Sequence, residues 1–149
     1  MSDALLAAES HLRILANRYA DAINRADFDD LVACYAPDGA WRVPPPYEAN
    51  HVGREAIRKR LADRRAQVEI VVMLVGSVFV VDASPERILG RTTIHEKGRI
   101  DAERGLDVFG LYDDVLVPVD GEWLFESRTL NLLAHSGVPS TYEKGAGAP

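Results

Sequence analysis

Cysteine is nearly absent. The single Cys34 excludes a disulfide within the chain and a thiolate metal cluster, and its place in a helical pattern beside Tyr35 reads as a small buried hydrophobe rather than a nucleophile. Histidine is sparse as well: His11, His51, His95 and His135 are scattered without HxH or HExxH spacing, so no dedicated metal site is expected. The chain has no glycine-rich phosphate loop and no GxSxG elbow, and no cofactor is expected. The longest apolar run, around Ile70–Val81, is broken by Gly76-Ser77 and is too short to span a bilayer. The opening MSDALLAAESHL carries acids where a secretory leader has a basic region, so a cytoplasmic protein is expected. Positive charge is in deficit, with 17 Lys and Arg against 23 Asp and Glu and a net charge of −6, which argues against a nucleic-acid surface. The one basic run, Arg54–Arg65, reads as the solvated face of a helix.

What is present is ordinary globular material: 149 residues, 47% apolar and 27% charged, suited to one domain with one core and carrying no internal repeat or linker. Its most informative stretch runs from Gly105 to Leu133. Two β-rich arms flank Asp120-Gly121, a pair that supplies the positive φ angles of a two-residue type I′ turn, so the stretch reads as one long hairpin. Val108, Gly110, Tyr112, Asp114 and Leu116 share one face of the first arm; Phe109, Leu111, Val115 and Val117 share the other. Both faces are largely apolar and both need cover, which calls for helices on one side and a partner subunit or a pocket for the rest.

Upstream, Leu5, Leu12, Leu15, Tyr19 and Ile23 form the stripe of an amphipathic helix of about five turns. Asp27 is placed to cap a short second helix whose apolar residues are Phe28, Leu31, Val32 and Tyr35. Pro37-Asp38-Gly39 reads as a turn ending that helix, Ala40–Val43 as a short strand, and Pro44-Pro45-Pro46 as an extended loop. A third, arginine-rich helix opens at Gly53. Val68–Asp82 reads as a long strand bent at Gly76-Ser77, and Ile88–Ile100 as its neighbour, with Gly90, Thr92, Ile94 and Glu96 on one face and His95 on the other. From His135 onward the composition suggests a loose tail, leaving a domain over 1–134. Three N-terminal helices on a strongly curved, mixed but mainly antiparallel sheet make an α+β cone whose mouth is a natural small-molecule site.

The order of elements, together with RYADAINRADFDDLVACYAPDGAW, HVGREAI, GLYDDVLVPVDGEW and the following ESR, resembles the SnoaL-like branch of the nuclear-transport-factor-two-like superfamily. The resemblance covers nearly the whole chain to about Leu133. It implies the cone fold and a range of functions that includes dehydratases, a dehydrochlorinase, polyketide cyclases, ketosteroid isomerase relatives and the small subunits of ring-hydroxylating dioxygenases. In the dehydratase-like members an Asp–His pair takes the proton and tyrosines polarise the substrate. Transferred to this chain, the helix-one tyrosine falls on Tyr19, the aspartate on Asn24, the histidine near Met73, and the short-strand tyrosine near Val43. The proton-moving pair is therefore missing at its expected positions, which leaves enzyme status open.

The candidate catalytic residues are Tyr19 and Glu96. Alternation puts Glu96 on the face of Gly90, Thr92 and Ile94, which the resemblance points into the cone, where desolvation strengthens a carboxylate as a base; the plain alternative is a solvated glutamate paired with Lys97 or Arg99. The candidate ligand-binding set is Tyr19, Asn24, Val43, Met73, Ile94, Tyr112, Asp114 and Leu130, with a salt bridge to Arg128 as the structural alternative for Asp114. The function expected is binding of a small apolar or cyclic ligand, with cofactor-independent lyase or isomerase chemistry. The alternatives are a non-catalytic subunit resembling a dioxygenase small subunit, or a ligand-binding module. The uncovered hairpin face predicts a homodimer or trimer.

Overall fold

Helix α1 (Asp3–Arg25) begins where the Ser2 hydroxyl accepts the Leu5 amide at 3.2 Å and stops where Ala26 turns left-handed. Ala8, Leu12, Leu15, Tyr19 and Ile23, three or four residues apart, form its buried stripe, and that stripe lies on the sheet. The computed structural model describes residues 2–136. After α1 come α2 (Phe28–Ala33), β1 (Tyr35–Val43), β2 (Ala49–Val52) and α3 (Arg54–Ala66), then four long strands: β3 (Ile70–Ala83), β4 (Ile88–Arg99), β5 (Gly105–Val119) and β6 (Glu122–Ser136). The sheet order is β2-β1-β6-β5-β4-β3. Every neighbouring pair is antiparallel except β1 and β6, which run parallel. The sheet curls without closing, so β2 and β3 remain edges.

Local chemistry explains the long strands. Asp120 and Gly121 both take positive φ, at 50° and 83°, and join β5 to β6 in the register that sets Val119 opposite Glu122. Two bulges coil the sheet around α1: Gly76-Ser77 of β3 oppose the single Thr93, and Glu126 of β6 is the extra residue between the partners of Val115 and Leu116. Gly110 is required by packing: a Cβ there would sit 2.6 Å from Leu130 Cδ1 and 3.2 Å from Ile94 Cδ1.

Two expectations need correction, and one element is new. Pro37-Asp38-Gly39 does not end a helix by a separate turn; it lies within β1 as an irregularity against β6, because Phe125 N–H already reaches the Cys34 carbonyl at 2.8 Å and starts the pairing early. A strand, β2, follows the proline loop, and ANHV is too short to show alternation of its own; its partner β1 decides it through Trp41 opposite His51. The last strand runs through His135 to Ser136, past the expected start of the tail, because β5 offers Asp107 and Val108 as partners. Residues 137–149 of that expected tail lie outside the described residues. No helix among the described residues is long and apolar enough to cross a membrane.

Candidate functional site

Between α1, α3 and the concave side of the sheet lies a narrow cavity of about 30 Å³, room for a water or two. Its walls include Tyr19 from α1, Leu61 and Arg64 from α3, Met73 from β3, Glu96 from β4 and Tyr112 from β5. A wider hollow of about 540 Å³ adjoins it, and Arg64, Val68 and Leu106 belong to both. The hollow is of the size that small ligands occupy.

Strand alternation sets the polar groups. On β4, Gly90, Thr92, Ile94 and Glu96 all point inward, with Thr92 and Glu96 fully or nearly buried. Glu96 is only 4% exposed, and its Oε2 accepts from Arg64 Nη2 at 2.8 Å. Attraction to Glu96 holds the Arg64 proton more firmly than usual. Tyr19 and Tyr112 meet edge to face, their centroids 6.1 Å apart, and Trp41 Nε1 donates to the Tyr112 hydroxyl at 3.3 Å. Burial pushes both tyrosines up, Tyr19 strongly, so both stay protonated and serve as hydrogen-bond donors.

Behind the cavity lies a second polar group. Arg128 donates through Nε and Nη2 to both oxygens of Asp114, at 2.7 and 3.1 Å, and Thr92 donates to Asp114 Oδ2 at 2.7 Å. The third nitrogen, Nη1, is buried with no hydrogen-bond partner. Ring faces surround the guanidinium instead: Tyr112 at 3.9 Å, Phe125 at 4.2 Å and Tyr19 at 4.5 Å.

Of the residues expected from sequence, Tyr19, Met73, Glu96 and Tyr112 come together on the cavity wall. The others do not line it. Asn24 turns to the free edge of β3, where its Nδ2 donates to the Met73 carbonyl at 3.0 Å and its Oδ1 accepts the Met73 amide at 2.7 Å. Ile94 and Leu130 close over Gly110 and fill that space. Asp114 is engaged by Arg128 and Thr92, and Val43 sits half-buried at the end of β1 opposite Ala49. His95 is on the outer face, stacked on Phe109 at 4.2 Å with Nε2 2.7 Å from Asp107. Arg64 was missed because the arginine run reads as solvated, yet it follows Ile57 and Leu61 at helical spacing, the two buried positions of α3. No group of three or more His, Cys, Asp or Glu among the described residues is arranged to hold a metal ion.

A family profile for the SnoaL-like domain matches residues 4–129. The chain belongs to the SnoaL-like family. Solved structures agree on the fold of this SnoaL-like protein. One, from Novosphingobium aromaticivorans and provisionally named a scytalone dehydratase, superposes with a TM-score of 0.84 at 21% identity, over 100% of this chain and 99% of that one. Another from the same organism, provisionally named an aromatic ring hydroxylase, gives 0.82 at 18% identity over 89% and 94%. The type 3 hexachlorocyclohexane dehydrochlorinase of Novosphingobium barchaimii gives 0.76 at 13% identity over 93% and 95%. No curated protein matches the sequence significantly.

Proposed function

We propose that this SnoaL-like protein binds a small, apolar, cyclic molecule in the wider hollow, with its reacting carbon reaching the narrow cavity that Glu96 lines, and eliminates a leaving group from it without a cofactor. The observation that carries the reading is the Glu96 carboxylate, buried on the cavity wall with two protonated tyrosines beside it. Dehydratase and dehydrochlorinase, the names borne by two of its structural relatives, both denote eliminations. In such a step Glu96 takes a proton from a ring carbon, the C–H electron pair becomes the new double bond, and the neighbouring carbon loses its leaving group. Tyr19 and Tyr112 donate hydrogen bonds to that group or to an adjacent carbonyl. Asn24 and Met73 have no usable basicity, so the Asp–His route of the dehydratase-like members is not the one used here.

General-base help of this kind is worth roughly 10²–10⁴-fold. A panel of cyclic β-hydroxy ketones and chlorinated cyclohexanes, each with and without a ring carboxylate, followed by product chromatography, tests the assignment. Glu96→Gln should lower turnover by roughly that factor while the thermal transition survives. Undiminished turnover in that variant rules Glu96 out and favours a ligand-binding module.

A second reading, assembly, rests on a different observation. The outer sheet face exposes Val72, Leu74, Phe79, Val81 and Phe109, a patch of the kind that protein partners cover.

A further inference from the structure

The wider hollow next to the cone is biased in charge. The chain carries −6 overall, yet among the described residues those lining this hollow include Arg64 and Arg104 and no carboxylate. The rest of the wall is mostly apolar, with Val68, Ile100, Leu106 and Val108 prominent. The two arginines differ in what holds them. Arg104 donates through Nε and Nη2 to Asp101 outside, at 2.8 and 2.6 Å. Arg64 reaches the other way and engages Glu96 through Nη2, while about a third of its side chain stays exposed. Among the described residues it is the one lining cation whose carboxylate partner lies on the cone wall, and it borders both spaces.

We propose that Arg64 is a carboxylate receptor, and that the ligands of this cone are amphipathic acids with an apolar cyclic body. This deepens, and rests on, the reading of Glu96 as the proton acceptor. A carboxylate arriving over Val68 and Leu106 meets Arg64 first. The guanidinium fork is made for two parallel bonds to a carboxylate, whereas Glu96 takes only one of its nitrogens. The incoming anion therefore replaces Glu96 on Arg64 without leaving the cation unpaired, and the cost of an unpaired charge falls on the buried Glu96 carboxylate, which relieves it by taking a proton. Glu96 is then released with its oxygens free to take a proton. A neutral ligand offers Arg64 no replacement partner and leaves the latch closed. The ligand's own charge is what arms the base.

The test is titration calorimetry with two probes of nearly the same body, 2-naphthoate and its neutral methyl ester, on the wild type, Arg64→Gln and Glu96→Gln, with circular dichroism to check folding. The wild type should bind the acid at least tenfold more tightly than the ester. Arg64→Gln should lose that preference and bind acid and ester equally well. Glu96→Gln should bind the acid several-fold more tightly than the wild type, because the competing carboxylate is gone; a purely structural Glu96 predicts weaker binding instead. Equal affinities, no heat from the acid up to millimolar concentration, or weaker acid binding in Glu96→Gln would each overturn the proposal. Ester bound with the acid rejected leaves the cone as a small-molecule site and removes only the receptor. An acid preference that disappears in Arg64→Gln, beside a Glu96→Gln variant with full elimination activity, keeps the receptor and removes the proton acceptor.

Discussion

Asp114 and Arg128 stand directly opposite each other on β5 and β6 and are joined by two hydrogen bonds, both side chains being fully buried. Removing either charge strands the other in a dry interior, so Asp114→Asn or Arg128→Met should each cost about 3–5 kcal/mol. Replacing both with apolar residues of similar volume should restore much of that loss. Urea unfolding of the two single variants and the double variant checks this, and additive losses would contradict it.

Asn24 acts on stability through the backbone. Its amide satisfies both the carbonyl and the N–H of Met73 on the open edge of β3, as a neighbouring strand would. Asn24→Ala should cost about 1–3 kcal/mol and speed hydrogen exchange at the Met73 amide. Unchanged exchange there would mean that the edge is held by other groups.

The alternation of β4 and the Asp120-Gly121 turn were legible because both are local: two-residue periodicity aims Glu96 inward, and a positive-φ pair sets the hairpin register that brings Asp114 to Arg128. The Asn24 clamp joins residues 49 apart, and the Trp41 bond to Tyr112 joins residues 71 apart; nothing in either neighbourhood announces its partner. Arg64 fell between the two cases. Its spacing from Ile57 and Leu61 was readable, but five other basic residues within Arg54–Arg65 made the whole helix look solvated, and burial of a cation depends on an acid supplied by another element.

We expect a homodimer through the outer face of the sheet. Leaving side chains such as Phe79, at 61% exposure, and Leu74, at 58%, in water forgoes about 1.5–3 kcal/mol each relative to full burial. Light scattering should give twice 16.4 kDa at micromolar concentration, and Phe79→Glu with Phe109→Glu should halve it. A wild-type mass of 16.4 kDa would defeat the expectation.

Cys34 gives stability an alkaline dependence. Burial pushes its thiol up to about 11, from the ordinary value of 9.0 that an unfolded chain keeps. Below the lower value both states hold the proton. Between the two values only the unfolded chain ionises, so it binds fewer protons and the folded state loses ground as pH rises, by about 3 kcal/mol in all. Tyr19, Tyr35 and Tyr112 are displaced upward too, but equally in a Cys34→Ala variant. The stability advantage of wild type over Cys34→Ala should therefore shrink across that interval in urea titrations; a constant difference would show that the thiol ionises as easily folded as unfolded.

The parallel pairing of β1 with β6 also orders the folding reaction in time. The β5–β6 hairpin closes over a two-residue turn, whereas β1 finds its place only against a strand made some ninety residues later, Tyr35 beside Phe125. Loop closure of that length is slow. The hairpin amides should thus gain protection in pulse-labelling hydrogen exchange before those of β1 and β2, and Trp41, seated on β1, should report the docking of that edge as a late change in its fluorescence.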